Sequence, residues 1–138
     1  MKTFVFASLC CALMLAGCSG NDGRVTVTGT VTLDGQPLSD GTITFVGSNG
    51  ASAGVGSIDN GSFTISKTGN AEGMDPGSYK VQVESWEVQP GEPQDDGTFA
   101  EGKTRIPEKY NKAADSGLTA EVTADGGSFT FDLKTSGG

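Results

Sequence analysis

The side chain best placed for chemistry in this 138-residue chain is the thiol of Cys18. It follows residues 4–15, an apolar stretch with Lys2 in front of it and the small residues Ala16 and Gly17 behind. A basic start, a short apolar core and small residues at its end are the layout of a secretory signal peptide. The stretch is shorter than the roughly 20 residues that cross a bilayer. Cys10 and Cys11 belong to the signal, so its removal leaves Cys18 as the one sulfhydryl. No intramolecular disulfide can then form, even in a compartment where disulfides persist. The chain has no histidine. That removes the commonest general base and the commonest zinc ligand.

Leu15-Ala16-Gly17-Cys18 resembles the bacterial lipobox. The resemblance implies that the thiol takes up a diacylglyceryl group, that the chain is cut just before Cys18, and that the new amino terminus is acylated. Ser19 in the next position, rather than aspartate, resembles the default for outer-membrane sorting. The expected setting is the cell envelope, with the lipid on Cys18 as the membrane contact and palmitate as an acyl donor. Two or three acyl chains hold a protein firmly where one holds it weakly.

The remaining candidates are carboxylates and aromatic rings. Asp95, Asp96 and Glu101 lie close in sequence, and Asp34, Asp40, Asp59 and Asp75 sit at turns. Calcium takes several oxygens, but none of these spacings matches an EF-hand loop. Turns favour aspartate for local hydrogen bonding alone. No metal or other cofactor is expected. A carboxylate pair can serve a glycosidase, yet acidic sandwiches offer such pairs by chance. No Gly-x-Ser-x-Gly elbow occurs, and the chain is not expected to be an enzyme. Asn60-Gly61-Ser62 fits a glycosylation pattern but reads as a turn. Trp86, the one tryptophan, together with Tyr110 offers aromatic faces on which a sugar ring can stack. The alternative is that residues 87–105 or the Ile106-Pro107 segment folds over Trp86.

Charge narrows the partners. The chain carries 9 basic and 17 acidic residues, a net charge of −8. Loss of Lys2 with the signal makes it −9. Such a domain is repelled by nucleic acid and has no basic patch for anionic lipid. The partner classes left are the membrane through its lipid, a protein and a glycan.

Cleavage leaves 121 residues, enough for one domain with its own core. Residues 18–24 are small and polar and read as a tether. In residues 25–33, Val25, Val27, Val31 and Leu33 alternate with threonines, the period of a strand with one face buried. Gly29 interrupts that face, which points to a bulge or a close approach of another strand. Asp34-Gly35 and Asp40-Gly41 signal turns. Residues 42–46 form the next strand, with Ile43 and Phe45 facing one way. Ala51, Ala53 and Val55 predict a weak edge strand. Asp59-Asn60-Gly61 turns into residues 62–66, with Phe63 and Ile65 inward. Residues 67–75 read as a loop, and Pro76-Gly77 as a type II turn with Gly77 at positive φ. Tyr79, Val81 and Val83 face one way along the next strand, and Trp86 the other. Residues 87–105, with Pro90, Pro93, three glycines and five acids, read as a long exposed loop. Ile106 must be extended before Pro107. Residues 118–123 and 128–133 close the domain, with Phe129, Phe131 and Leu133 inward. About seven strands and no helical period predict an all-β, seven-stranded Greek-key β-sandwich over residues 25–134, with 135–138 a tail.

Several of these segments together resemble carboxypeptidase regulatory-like domains. They are Val27-Thr-Gly-Thr-Val31 with Leu33-Asp-Gly-Gln-Pro-Leu38 and Gly41-Thr-Ile-Thr-Phe45, then Asp59-Asn-Gly-Ser-Phe63, then Pro76-Gly-Ser-Tyr-Lys-Val81. The tail of the domain, from Ile106-Pro-Glu-Lys-Tyr-Asn111 to Phe129-Thr-Phe-Asp-Leu133, looks like that of small bacterial lipoproteins carrying this domain alone. The resemblance implies a transthyretin-like, Ig-like sandwich without catalysis, serving as a structural or binding module. It transfers no functional residue, because the matched positions are turns and core. Transthyretin-like hydrolases rely on histidine, which this chain lacks.

Overall fold

The computed structural model describes residues 23–67 and 71–136. The expected signal peptide, Cys18 and most of the expected tether lie outside the described residues. The alternating segments become β1 (Val27–Leu33), β2 (Gln36–Pro37), β3 (Asp40–Val46), β4 (Ser52–Asp59), β5 (Ser62–Lys67), β6 (Ala71–Glu72), β7 (Gly77–Glu84), β8 (Trp86–Val88), β9 (Lys103–Thr104), β10 (Leu118–Val122) and β11 (Gly127–Leu133). One turn of 3₁₀ helix, Glu108–Asn111, stands where no helix was expected.

Seven strands run along one hydrogen-bonded path in the order β10-β7-β3-β4-β5-β1-β11. β2 adds to β1 and β6 to β5, while β8 and β9 make a separate ribbon. Neighbours on the path are antiparallel except β1 and β11, which are parallel from Val27↔Gly127 to Leu33↔Leu133. β10 and β11 follow each other in sequence but sit at opposite ends of the path. The turn between them, bonded from Gly126 N–H to the Thr123 carbonyl, carries the chain from one side of the core to the other.

The path curls over on itself. Phe45 of β3 lies four strands from β11, yet its ring centroid is 6.1 Å from Phe129 and 6.3 Å from Phe131. β3, β7 and β10 thus face β5, β1 and β11 across a core that includes Val27, Val31, Ile43, Val81, Val83 and Leu133, all fully buried. The fold is an all-β sandwich.

Two turns owe their shape to residues at positive φ. Asp34 and Gly35, at φ 51° and 84°, join β1 to β2, and Asn60 and Gly61, at 47° and 81°, join β4 to β5. These are two-residue hairpin turns whose twist matches that of the strands.

Four expectations need correction, and one alternative is decided. Asp40-Gly41 is no turn: both residues belong to β3 and pair with Asp59 and Ile58 of β4. β4 is no edge strand: it pairs with β3 on one side and β5 on the other. Its inward positions are Gly54, Gly56 and Ile58, while Ala53 and Val55 are half-buried. A Cβ on Gly54 would stand 2.5 Å from Ile65 Cγ2, so the core closes too tightly there for any side chain. The segment before β7 is no plain loop. Met74 is fully buried and pairs with Val25, and Gly73, at φ 79°, supplies the left-handed turn assigned to Gly77. Of the two alternatives for Gly29, the close approach holds and the bulge does not: the register with β11 is continuous, and a Cβ there would meet the Phe129 carbonyl and the Phe63 ring. Residues 87–105 are a hydrogen-bonded hairpin, not an open loop. Ala100 N–H donates to the Glu92 carbonyl (2.8 Å), Gln94 N–H to that of Thr98 (2.9 Å), and Pro93 bridges Phe99.

Candidate functional site

The strand registers sort the molecule into two ends. Val25, Met74, the 47–51 turn and the 123–126 turn lie together where β1 begins. The turns at 34–35 and 60–61, the start of β3 and the end of β7 lie at the other end, and the hairpin arm of residues 86–105 rises from there.

The arm is pinned at its root. Ser85, fully buried, donates its Oγ–H to the Asp40 carbonyl at 2.7 Å, and its own carbonyl accepts from Arg105 N–H at 2.9 Å. The Arg105 guanidinium reaches Asp40 Oδ1 at 2.7 Å and the Ser39 hydroxyl at 3.2 Å. Both legs of the arm are therefore tied to the first residues of β3. Between the legs, Lys103 and Glu87 pair at 2.8 Å, mostly in solvent. That pair holds the Glu87 carboxyl below the usual carboxylate range but adds little stability.

The pin fixes Trp86, the first residue of the arm. Parity places it opposite Tyr79, Val81 and Val83, and the buried Ser85 takes the next inward position. Its indole is half-buried: Pro90 and Gly102 close on one side, and a Cβ on Gly102 would be 2.8 Å from Trp86 Cζ3. It lines a cleft of about 250 Å³ together with Pro90, Gly102, Thr104, Glu108, Asn111 and Lys112. Asn111 Oδ1 is buried without a hydrogen-bond partner, the one such side-chain atom among the described residues.

Tyr110 does not join Trp86 as a second platform. It belongs to the core and is 5% exposed. Its hydroxyl accepts from Lys134 N–H at 3.0 Å, and the Lys109 ammonium lies 4.9 Å above its ring. Its neighbour Asn111 lines the cleft instead, as do Glu108 and Lys112. Of the two covers the sequence suggests for Trp86, residues 87–105 and the Ile106-Pro107 segment, the first supplies Pro90, Gly102 and Thr104 to the cleft lining, and neither Ile106 nor Pro107 lines it.

A second, more apolar groove of about 510 Å³ lies at the opposite end, between Val46, Tyr79 and the Ala113-Ala114 pair. The Tyr79 hydroxyl donates to the Asp75 carbonyl at 2.6 Å, and burial raises its pKa. The acids of the arm do not converge. Asp96 Oδ1 accepts from both the amide and the hydroxyl of Thr98, and the hydroxyl bond first, then the amide bond, lowers its pKa. Among the described residues no three of His, Cys, Asp and Glu stand close enough to hold a metal ion. No helix among them is long and apolar enough to cross a membrane. No protein-family model, curated protein or solved structure matches the chain.

Proposed function

We propose that the chain is a lipid-anchored, non-catalytic module of the cell envelope, a carboxypeptidase regulatory-like sandwich held by acyl chains on Cys18 and used for structure or binding. The observation that carries the reading is the spacing of Leu15-Ala16-Gly17-Cys18 from the domain. The thiol stands nine residues before β1, and β1 starts at the end of the sandwich opposite the arm. An anchor there leaves the arm and the Trp86 cleft facing away from the bilayer. Asp34-Gly35 and Asn60-Gly61 at hairpin turns and Phe45 and Phe63 in the core support the resemblance, while Gly77 does not take the positive φ expected of it. Ser85, Arg105, Ser116 and Asp34 make hydrogen bonds within the fold. The acidic surface disfavours nucleic acid. Ser19 favours the outer membrane as the destination.

Metabolic labelling with palmitate tests the anchor. The chain should take up label and fractionate with membranes. Cys18→Ala should abolish labelling and leave an unprocessed precursor or a soluble product. Label persisting in Cys18→Ala defeats the reading.

A further inference from the structure

We infer that the cleft beside Trp86 binds a single neutral sugar ring of a glycan. This rests on the reading of the chain as a binding module and names its ligand class. Two parts of the cleft lining differ in chemistry. One is apolar, the Trp86 indole with Pro90 and Gly102 beside it. The other is polar and carries an acceptor, a cation and an anion on Asn111, Lys112 and Glu108. Neither Lys112 nor Glu108 makes an ion pair among the described residues. Asn111 Oδ1 can only accept, so its missing partner must bring an O–H or N–H. A buried acceptor of that kind is costly while it stays unpaired, and a small turn of the Asn111 side chain toward the cleft lets a donor on the ligand satisfy it.

A pyranose fits both parts at once. Its C–H face is apolar and lies flat on an indole, and its rim of hydroxyls donates and accepts. A purely apolar ligand would leave Asn111 unpaired and desolvate Lys112 and Glu108. A polyanion would meet a mature charge of −9. Size agrees: drug-sized ligands occupy clefts of about 300–1,000 Å³, and 250 Å³ suits one ring. The cleft also lies at the root of the arm, at the end of the sandwich away from the chain's entry into β1.

Trp86 is the chain's one tryptophan, so its emission reports the cleft without interference. The full chain in detergent is titrated with glucose, galactose, mannose and N-acetylglucosamine, with sorbitol as an open-chain polyol lacking the ring. At least one sugar should give a saturable blue shift with a dissociation constant of about 1 mM, and sorbitol none. Asn111→Ala should weaken that sugar about tenfold. Lys112→Ala and Glu108→Gln lie on exposed positions and spare the fold; at least one should weaken binding about threefold, equivalent to roughly half of a tenfold step in free energy. Phe99→Ser, at the exposed tip of the arm, should leave binding unchanged. The inference is overturned if no sugar produces a saturable shift, if sorbitol matches the sugars, or if all three cleft variants bind as the parent does. Those results would leave the palmitate experiment untouched, and loss of label in that experiment would leave the titration standing.

Discussion

Phe45 shows how single residues hold this fold. The rings of Phe63, Tyr79, Phe129 and Phe131 all lie 6.1–6.3 Å from its own, three of them edge-on and one tilted. Geometries of that kind add about 0.5–1.5 kcal/mol per pair beyond burial. Phe131 also stacks on Phe63 and Phe129 and is 6% exposed, whereas Phe129 is half-buried. Phe131→Ala should therefore cost about 3–5 kcal/mol and Phe129→Ala clearly less, measured by urea unfolding. Equal losses would mean that burial does not rank the two. The carboxylates make a second prediction at this scale. Hydrogen bonds from the Thr98 hydroxyl and amide lower the Asp96 pKa, and bonds from the Thr135 hydroxyl and amide lower that of Asp34. A depressed folded pKa gives stability that is present above the unfolded value, about 3.9. It is lost as pH falls through the folded value. Carboxyl NMR titration should place both midpoints below ordinary aspartate, and Thr98→Val should raise that of Asp96 while leaving Asp34 in place. An Asp96 midpoint that ignores Thr98→Val would remove the hydroxyl as the chief cause.

The elements were legible in the sequence where hydropathy alternates and obscure where glycine does. β1, β5, β7 and β11 each put valine, isoleucine, phenylalanine or tyrosine on alternate positions, and the structure buries that face. β4 puts Gly54 and Gly56 on the inner face. Glycine carries no hydrophobic signal, so Ala53 and Val55, on the outer face, outweighed Ile58, the one inner position that carries one. Nor does a strand announce its partners, and β4 reads as an edge although it is central. The arm hid for a related reason. Its prolines and glycines are breakers in a local reading, yet Gly91, Glu92, Gln94, Thr98 and Ala100 meet across it as a ladder. Trp86 could be singled out because it is unique, but Asn111 could not. Its role depends on a fold that brings residue 111 to residue 86. The arm's tip and root should separate by experiment. Replacing residues 92–99 by an Asn-Gly turn removes only exposed side chains, so the melting temperature should move by no more than about 4 °C, the equivalent of roughly 1 kcal/mol or less. Trp86 emission should stay put. Arg105→Ala removes the pin to Asp40 and Ser39 and should red-shift Trp86 while costing about 1 kcal/mol, because the buried Ser85 still holds Asp40. A red shift on trimming the tip, or none in Arg105→Ala, would reverse the assignment of roles.

The whole molecule has a direction, set by one parallel pairing. β1 leaves the end where Val25 bridges Met74 and runs to the Asp34-Gly35 turn, and β11 runs beside it the same way. The chain therefore enters at one end and finishes β11 at the other. There Thr135 is bonded through its amide and hydroxyl to Asp34. Seven residues of β1 at about 3.3 Å each separate the ends by roughly 23 Å. If acyl chains hold Cys18, the 47–51 turn lies near the lipid headgroups and the arm stands beyond the far end. On the proposed reading, removal of the signal leaves Cys18, blocked by its lipid, as the one native cysteine, so an introduced cysteine can carry a single fluorophore. Ser48→Cys and Asp95→Cys, both on exposed positions, place that fluorophore at the two ends. In vesicles containing a headgroup nitroxide lipid, the label at residue 48 should be quenched strongly and that at residue 95 weakly. The difference should vanish when the vesicles are dissolved in detergent. Equal quenching at both positions would mean that the sandwich lies on its side, with the Trp86 cleft no further from the bilayer than the 47–51 turn. Stronger quenching at residue 95 would mean that the arm itself meets the membrane.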